Sequence, residues 1–327
     1  MKRNNLFTFA TSELSQDAFI CWLLSFAHQD HINEDHTLTK CAKELLRKIV
    51  NTEDDLFVTK LKKQYKNIDV FLQVNDKFNI IIEDKTFTHQ HGNQIDRYKQ
   101  TLIDEGLTEI ICVYYKIVEQ SREEITDVNI TRKDLLELFS KYKDETDNSI
   151  FLDYYDHLLA IDEDVMGYQN APIEKWRDEY RHAYKGFFDH LIKDKIVKLN
   201  KDYGWGYVSN QSKGFWGFWW FYLSDEELKA CNLEQYLIDA LYIQIEDNII
   251  AIKIRGSHDI TQEIRWSLHN YFKNKIPDLK KKTFRKGKCM TLGYIEYNEK
   301  NYREKINQME EAMNSITNGG YVFNLSY

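Results

Sequence analysis

The chain has 327 residues, of which 43% are hydrophobic and 14% aromatic, and this apolar content excludes a disordered chain. No apolar stretch approaches the roughly 18–20 residues of a membrane helix, which argues against a membrane protein of the helical type. The formal net charge of -8 excludes a uniformly basic surface for nucleic acid, although it permits a local one.

The first predicted element is an amphipathic helix over residues 12–27. Leu14 and Ala18 recur at helical spacing and are expected on its apolar face. Thr11 or Ser12 can cap its N-terminus, because hydroxyl side chains accept hydrogen bonds from the first free backbone N–H groups.

Strands and helices then alternate in an order typical of a mixed α/β domain. In residues 68–74, Ile68 and Val70 are predicted on one face of a strand and Asp69 on the other, because strand side chains alternate. The elements predicted after the first helix are helix 37–50, strands 56–61, 68–74 and 78–85, helix 91–105, strand 109–115, and helices 132–142 and 150–159.

The second half of the chain is predicted to form a separate domain. Residues 162–172 read as a linker that ends in a proline suited to a helix start, so the domains are expected at 1–165 and 170–327. The second domain is expected to be α+β with a mainly antiparallel sheet. Its predicted elements are a long helix from 172 to about 199, strands 205–208, 215–223, 242–245 and 249–255, helix 260–273, and a closing strand, helix and strand.

The hairpin formed by residues 68–85 brings two acidic residues together. If Asn75–Lys77 form a three-residue loop, Val74 pairs with Phe78, and Asp69 then lies opposite Glu83. Directly opposed side chains have Cβ atoms about 4.5–5.5 Å apart, and like charges at that distance are destabilising. A divalent cation between the two carboxylates would remove the repulsion.

A lysine completes this predicted constellation. Lys85 is two residues beyond Glu83 and projects from the same strand face. Mg²⁺ prefers oxygen ligands and is typically held by one or two carboxylates, water and substrate phosphate. A bound metal polarises a phosphoryl group, and a nearby ammonium orients water or neutralises transition-state charge. The arrangement therefore predicts phosphodiester hydrolysis.

These residues resemble the PD-(D/E)xK nuclease superfamily, which has the restriction-endonuclease-like fold. The resemblance covers roughly residues 10–120, rests on Asp69 and on Glu83 to Lys85, and lacks the proline that often precedes the aspartate. The helix–strand order of residues 12–116 is similar to the αβββαβ core of that superfamily. Within bacterial PD-(D/E)xK-like proteins, a glutamate on the first helix is common, and Glu13 matches it.

The resemblance implies a role for each matching position. Asp69 and Glu83 would be metal ligands, the backbone carbonyl of Asp84 a further ligand, Lys85 the catalytic lysine, and Glu13 an outer or second-metal carboxylate. The resemblance also implies Mg²⁺ as the cofactor, with Mn²⁺ as a substitute.

A glutamine followed four residues later by a tyrosine recurs after the Glu-x-Lys motif in several branches of the superfamily. Gln94 and Tyr98 fit that pattern and would contact substrate.

Ordinary explanations exist for several of these residues. Glu13 near a helix start is favoured by the helix dipole without any catalytic role. Lys85 could form a simple cross-strand ion pair with one of the acids. His89 and His91 could suggest a zinc site, but no third ligand is identifiable in the sequence.

Two features of the second half have both a structural and a nucleic-acid-binding interpretation. The aromatic segment 205–222 is interpreted as sheet core, although aromatic rings also stack on unpaired bases. The basic segment Lys273–Lys288 could contact phosphate or simply be solvated. The candidate phosphate-binding residues of this segment are Lys280, Lys281, Lys282 and Arg285.

The sequence therefore predicts a Mg²⁺-dependent endonuclease of restriction or phage-defence type, with the DNA preference taken from the resemblance. The alternatives are a catalytically inactive module that binds nucleic acid or protein, and an α+β protein with no nucleic-acid role. A homodimer stays an open alternative. The five widely spaced cysteines contain no C-x-x-C pair and the N-terminus has no signal peptide, so a cytoplasmic protein with reduced thiols is expected.

Overall fold

The computed structural model describes residues 4–84, 94–121, 126–200, 202–210, 214–257, 260–281 and 287–318. The chain forms two compact units, Met1–Asp164 and Val165–Tyr327. No helix in these described ranges is long and apolar enough to cross a membrane.

The first unit contains a five-stranded mixed sheet. Its strands lie in the order β1-β2-β3-β4-β5, in which β1, β2 and β3 are antiparallel neighbours and β3, β4 and β5 are parallel neighbours. The elements are α1 (Glu13–Ser25), α2 (His36–Val50), β1 (Val58–Tyr65), β2 (Ile68–Val74), β3 (Phe78–Asp84), α3 (Gln94–Asp104), β4 (Ile110–Lys116), β5 (Val128–Thr131), α4 (Arg132–Ser140) and α5 (Ser149–Val165).

Helix α1 begins where the sequence predicts, but its buried face is a different one. The Ser12 side chain caps the helix by accepting a hydrogen bond from the Ser15 backbone N–H at 3.3 Å. Leu14, predicted on the apolar face, is 55% exposed, and Ala18 is also exposed. The strongly apolar second half of the helix decides the orientation instead. The buried residues are Gln16, Asp17, Phe19, Ile20, Leu23 and Leu24.

This orientation places two polar side chains, Gln16 and Asp17, on the buried face of the helix. Gln16 and Asp17 lie four and three residues before Ile20, so they share its face. Helix α1 packs against β1, β2 and β3. The polar pair is therefore directed towards the sheet.

The hairpin of β2 and β3 has the predicted register. Val74 pairs with Phe78 and Val70 with Ile82. The Gln73 side chain donates a hydrogen bond to Asn79 Oδ1 at 2.8 Å across the same pair of strands. The paired residues end at Val70 and Ile82, one residue before Asp69 and Glu83, so the opposition of these two acids stays a prediction.

The predicted alternation fails only at the first residue of β2. Ile68 packs in one cluster with Phe71 and Ile81, although it was expected on the face opposite to Phe71. The preceding residues Lys66 and Asn67 have φ values of 54° and 69°, which are left-handed. This tight turn rotates the start of the strand, so the simple period of two does not apply there.

Strand β1 starts two residues later than predicted and runs through the basic stretch near Lys60–Lys66. It lies at the edge of the sheet, and Lys62 and Lys63 are exposed. Charged side chains on an edge strand oppose pairing with other chains. Strand β5, which the sequence analysis missed, has only four residues and leads directly into α4.

A buried ion network joins the end of β4 to α4 and α5. Arg132 is 2% exposed and donates hydrogen bonds to Glu119, Asp162 and the Ile117 carbonyl at 2.6–3.1 Å. The guanidinium has five N–H donors in a planar fork, so one side chain can satisfy all three acceptors.

The second unit contains an antiparallel sheet with strand order β10-β9-β8-β7-β6. The mainly antiparallel sheet predicted for this half is therefore confirmed. The elements are α6 (Gly167–Asn170), α7 (Ile173–Trp176), α8 (Ala183–Lys193), β6 (Gly204–Val208), β7 (Phe215–Trp220), α9 (Asp225–Ala230), β8 (Ile238–Glu246), β9 (Ile249–Gly256), α10 (Gln262–Lys275), β10 (Cys289–Glu296) and α11 (Tyr302–Asn318).

Two predictions for this region are wrong. The proposed linker 162–172 is largely helical, since α5 continues to Val165 and α6 follows at once. The long helix from 172 is broken between α7 and α8. Tyr180, between α7 and α8, packs on α6, where its ring lies 2.5 Å from the position that a Cβ on Gly167 would take. The final predicted strand lies outside the described residues.

Part of the aromatic segment is core, as interpreted from the sequence, while Tyr207 is 52% exposed. Trp205, Phe218 and Trp220 are at most 4% exposed and belong to the main hydrophobic cluster of this unit. The Trp220 indole N–H donates to Glu310 Oε1 of α11 at 2.8 Å, which satisfies the polar end of the buried ring.

Candidate active site

Asp69 is held in place at the start of β2 by two hydrogen bonds. Its Oδ2 accepts from the backbone N–H of Asp84 at 3.1 Å, and its Oδ1 accepts from the Gln64 side chain at 3.3 Å. The first bond ties the carboxylate to the end of the neighbouring strand. Asp69 is half-buried, so it lies between the sheet and the surface.

The Asp84 side chain points towards α1 and is fully buried. Gln16 donates a short hydrogen bond from Nε2 to Asp84 Oδ1, and Gln16 Oε1 accepts from the Tyr154 hydroxyl at 3.2 Å. The Tyr154 and Tyr115 hydroxyls lie 3.3 Å apart. Asp84 and Tyr115 are partners in the parallel β3–β4 pair, which places them on one face. A chain of three polar side chains, Gln16, Tyr154 and Tyr115, therefore fixes the carboxylate.

Asp17 lies in the same group of acids. Its side chain is on the sheet-facing side of α1, is 1% exposed, and accepts a hydrogen bond at Oδ2 from Gln64 at 3.3 Å. The same Gln64 amide nitrogen donates to Asp69. One residue of β1 therefore connects an acid of α1 with the predicted catalytic aspartate.

The electrostatics of the group show that its acids act on one another. Burial, and then the negative charge of Asp69, raise the pKa of Asp17 to about 6, although Lys63 and Gln64 act in the opposite direction. Burial, and then the charge of Asp17, raise the pKa of Asp84 well above its ordinary value. The half-buried Glu13 adds negative charge at both positions.

Glu83 occupies a different environment. It is fully buried, and because it alternates with Asp84 along β3, it projects from the opposite face of the sheet. On that face Ile81 packs against Tyr98 of α3. The Gln94 side chain donates to the Tyr98 hydroxyl at 2.6 Å. Glu83 thus projects from the sheet face of the cluster that contains Ile81 and Tyr98, while Asp69 is hydrogen-bonded to Gln64 and to the Asp84 backbone.

Several predicted residues lie outside the described ranges. Lys85, His89 and His91 belong to residues 85–93, so the predicted lysine and the alternative histidine pair are not placed. Lys63 of β1 is the described lysine beside the acids. Its Nζ donates to the Leu14 carbonyl at 2.6 Å, and its charge lowers the pKa of Asp17.

The donor set fits a hard divalent cation. Among residues 4–84, 94–121 and the other described ranges, no three His, Cys, Asp or Glu side chains form a ready-made metal cage. A Mg²⁺ site needs fewer, since one or two carboxylates usually suffice. Asp17 Oδ1 and Asp84 Oδ2 are buried and accept no hydrogen bond from the part of the chain that the structure describes. Carboxylate oxygens in that state are stabilised by a cation.

Two of the basic residues predicted to contact phosphate lie in the described part of the second unit. Lys280 Nζ is 2.8 Å from Glu296 of β10, so its charge is paired. Lys281 Nζ lies 4.0 Å above the Trp266 ring, in a cation–π contact. Lys282 and Arg285 fall outside the described residues. Phosphate binding by this segment stays a prediction.

Comparison with known proteins identifies the family. A family model described as the PD-(D/E)XK nuclease superfamily matches residues 4–185, more than half of the chain. The chain belongs to this superfamily. Its members are nucleases that act on nucleic acid and generally use divalent metals. No curated protein and no solved structure gave a match.

The residues that sequence analysis missed are Asp17, Gln16, Gln64 and the side chain of Asp84. For Gln16 and Asp17 a signal was present, because both lie one helical turn before Ile20 on the side of Leu23 and Leu24. Gln64 carried no such signal. Its left-handed backbone, with φ of 54°, depends on the turn that follows it.

Proposed function

We propose that the protein is a Mg²⁺-dependent endonuclease that cuts DNA in the cytoplasm, as a restriction or phage-defence enzyme. The observation that carries the proposal is the anchoring of Asp69 by the Asp84 backbone N–H beside buried carboxylates of α1 and β3. In this proposal α1, β1 to β3, α3 and β4 form the αβββαβ core of a restriction-endonuclease-like fold.

The proposed cation is held by Asp69, Glu83, the Asp84 backbone carbonyl and Glu13. When bound, the cation polarises the scissile phosphate and lowers the pKa of a coordinated water. Gln64 and the Asp84 N–H fix the Asp69 carboxylate in one orientation, so it needs no rearrangement to bind.

Other side chains are proposed to act on the nucleic acid itself. Lys85 neutralises negative charge that develops on the phosphate in the transition state. Gln94 and Tyr98, already joined by a hydrogen bond, position the substrate backbone. Lys280, Lys281, Lys282 and Arg285 of the second unit bind DNA phosphates in this proposal.

The full burial of Glu83 favours a second candidate. A site whose motif glutamate is 0% exposed also fits a catalytically inactive module that binds nucleic acid or protein. Cleavage distinguishes the two candidates, because an inactive module binds nucleic acid or protein without cleaving nucleic acid.

A cleavage assay separates these candidates. Supercoiled plasmid, single-stranded DNA and RNA are incubated with the protein in Mg²⁺, Mn²⁺ or EDTA. The proposal predicts metal-dependent DNA cleavage that is lost in Lys85→Ala and kept in Lys77→Ala, a control in the exposed turn of the β2–β3 hairpin. Binding without cleavage would support the inactive module. Light scattering on the same samples distinguishes a monomer from a homodimer.

A further inference from the structure

We infer that Asp17 is a ligand of the divalent cation at Asp69, so that α1 contributes a buried carboxylate to the site in addition to Glu13. The inference rests on the proposed function, because it concerns the same cation. It adds one ligand to the proposed set of Asp69, Glu83, the Asp84 backbone carbonyl and Glu13.

Asp17 and Asp69 are hydrogen-bonded to one and the same amide group. Asp17 Oδ2 and Asp69 Oδ1 each lie 3.3 Å from the same atom, Gln64 Nε2. Because both oxygens accept a hydrogen bond from the same nitrogen, the two carboxylates lie close to each other. Helix α1 packs on β1 and β2, the strands that carry Gln64 and Asp69. The Gln64 amide thus holds both carboxylates as a pair.

The charged groups around Asp17 favour a bound cation. The charged groups that act on it are Asp69 of β2, Lys63 of β1 and Glu13 of α1, and Asp17 in turn acts on Asp84 of β3. Asp17 therefore interacts electrostatically with three other acids and with Lys63. A carboxylate with 1% exposure is costly unless a positive charge compensates it.

Two buried carboxylate oxygens of the site accept no hydrogen bond from the described residues. Asp84 is 0% exposed, yet its Oδ2 accepts no hydrogen bond from any residue that the structure describes, and the same holds for Oδ1 of Asp17. Buried polar atoms are normally satisfied, and such an orphan indicates an ion or water that belongs there. Gln16 fixes Asp84 through its other oxygen and leaves Oδ2 available.

The chemistry of these oxygens selects the ligand. All the donors are carboxylate oxygens, which suit Mg²⁺ and Mn²⁺, while zinc and copper sites usually include nitrogen or sulfur. The alternative occupant is a proton, which would make Asp17 a neutral carboxyl. If a cation is bound, removing the Asp17 charge weakens metal binding, whereas if a proton is bound, the metal affinity stays unchanged.

Calorimetric titration of the full chain with Mn²⁺ distinguishes them. The inference predicts that Asp17→Asn weakens Mn²⁺ binding at least tenfold, whereas Asp30→Asn, at a side chain that is 79% exposed, leaves the affinity unchanged. Unchanged affinity in a folded Asp17→Asn variant would overturn the inference. Asp17→Ser serves as a second variant if the asparagine does not fold.

Thermal melting in EDTA gives a readout without metal. Asp17→Asn removes a buried charge that repels Asp69, so its melting temperature in EDTA is expected to equal or exceed that of the unsubstituted protein, and its stabilisation by Mn²⁺ is expected to shrink. Full Mn²⁺ stabilisation in Asp17→Asn would contradict the inference.

These outcomes are distinguishable from failure of the proposed function. If the unsubstituted protein neither binds Mn²⁺ nor cleaves DNA, the proposed nuclease function fails and takes the inference with it. If the unsubstituted protein does both and Asp17→Asn binds Mn²⁺ equally well, only the role of Asp17 is wrong.

Discussion

Two substitutions of Asp69 separate the hydrogen bond that its carboxylate accepts from the negative charge that it carries. One oxygen accepts the Asp84 backbone N–H at 3.1 Å, and the charge of the group acts on Asp17. Asp69→Ala removes both the acceptor and the charge. Asp69→Asn removes the charge but keeps an oxygen that can accept the same hydrogen bond.

The magnitude follows from the hydrogen bond that only the alanine variant loses. A buried backbone N–H without an acceptor costs about 1–3 kcal/mol. The bond from Gln64 adds little, because that side chain is exposed. Loss of charge repulsion stabilises both variants equally. Asp69→Ala is therefore expected to be less stable than Asp69→Asn by about 1–3 kcal/mol.

Urea denaturation in EDTA measures this difference, and a plasmid assay in Mg²⁺ measures activity. Both variants are expected to lose cleavage, while Asp69→Asn keeps at least the stability of the unsubstituted protein. If Asp69→Ala proved as stable as Asp69→Asn, the Asp84 N–H would not depend on Asp69, and the anchoring described above would be wrong.

Three further predictions concern the framework. Arg132→Met is expected to lower the free energy of unfolding by about 3 kcal/mol in urea denaturation, because it leaves Glu119 and Asp162 without their cation; no change would refute the network. Burial opposes ionisation of Glu119, but Arg132 outweighs burial and lowers the pKa of Glu119. The stabilisation is therefore present above about pH 4.5, the ordinary pKa, and is lost as pH falls through the depressed pKa. Glu119→Gln should flatten that acid limb, and an unchanged limb would contradict the assignment. Gly167→Ala is expected to lower the melting temperature, with a cost of about 1–3 kcal/mol, because its Cβ would meet the Tyr180 ring at 2.5 Å; an unchanged melting temperature would count against this packing.

The β2–β3 hairpin could be predicted from the sequence in detail. Its register follows from the turn at Asn75–Lys77 and from the alternation of apolar residues, both of which are local. The same local rule failed at Ile68, where left-handed residues of the preceding turn rotate the strand. Such a turn is set by how β1 and β2 pair, which one strand alone does not encode.

The composition of the site could be predicted only in part. The spacing gave the hairpin register as far as Val70 and Ile82, next to Asp69 and Glu83. The role of α1 did not, because Leu14 and Ala18 suggested a face that the more apolar Ile20 and Leu23 overrule. Tertiary burial of the second half of the helix decides the rotation, and the rotation decides which acid faces the sheet.

The central claim, that the acids around Asp69 form a metal-dependent nuclease site, is tested most directly by plasmid cleavage with Asp69→Asn and a control in the same hairpin. Asp76 is exposed in the turn, with a left-handed φ of 52° that asparagine also adopts. We predict that the unsubstituted protein and Asp76→Asn cleave plasmid in Mg²⁺ and not in EDTA, and that Asp69→Asn does not cleave. Equal cleavage by Asp69→Asn, or no cleavage by any of the three proteins, would contradict the account.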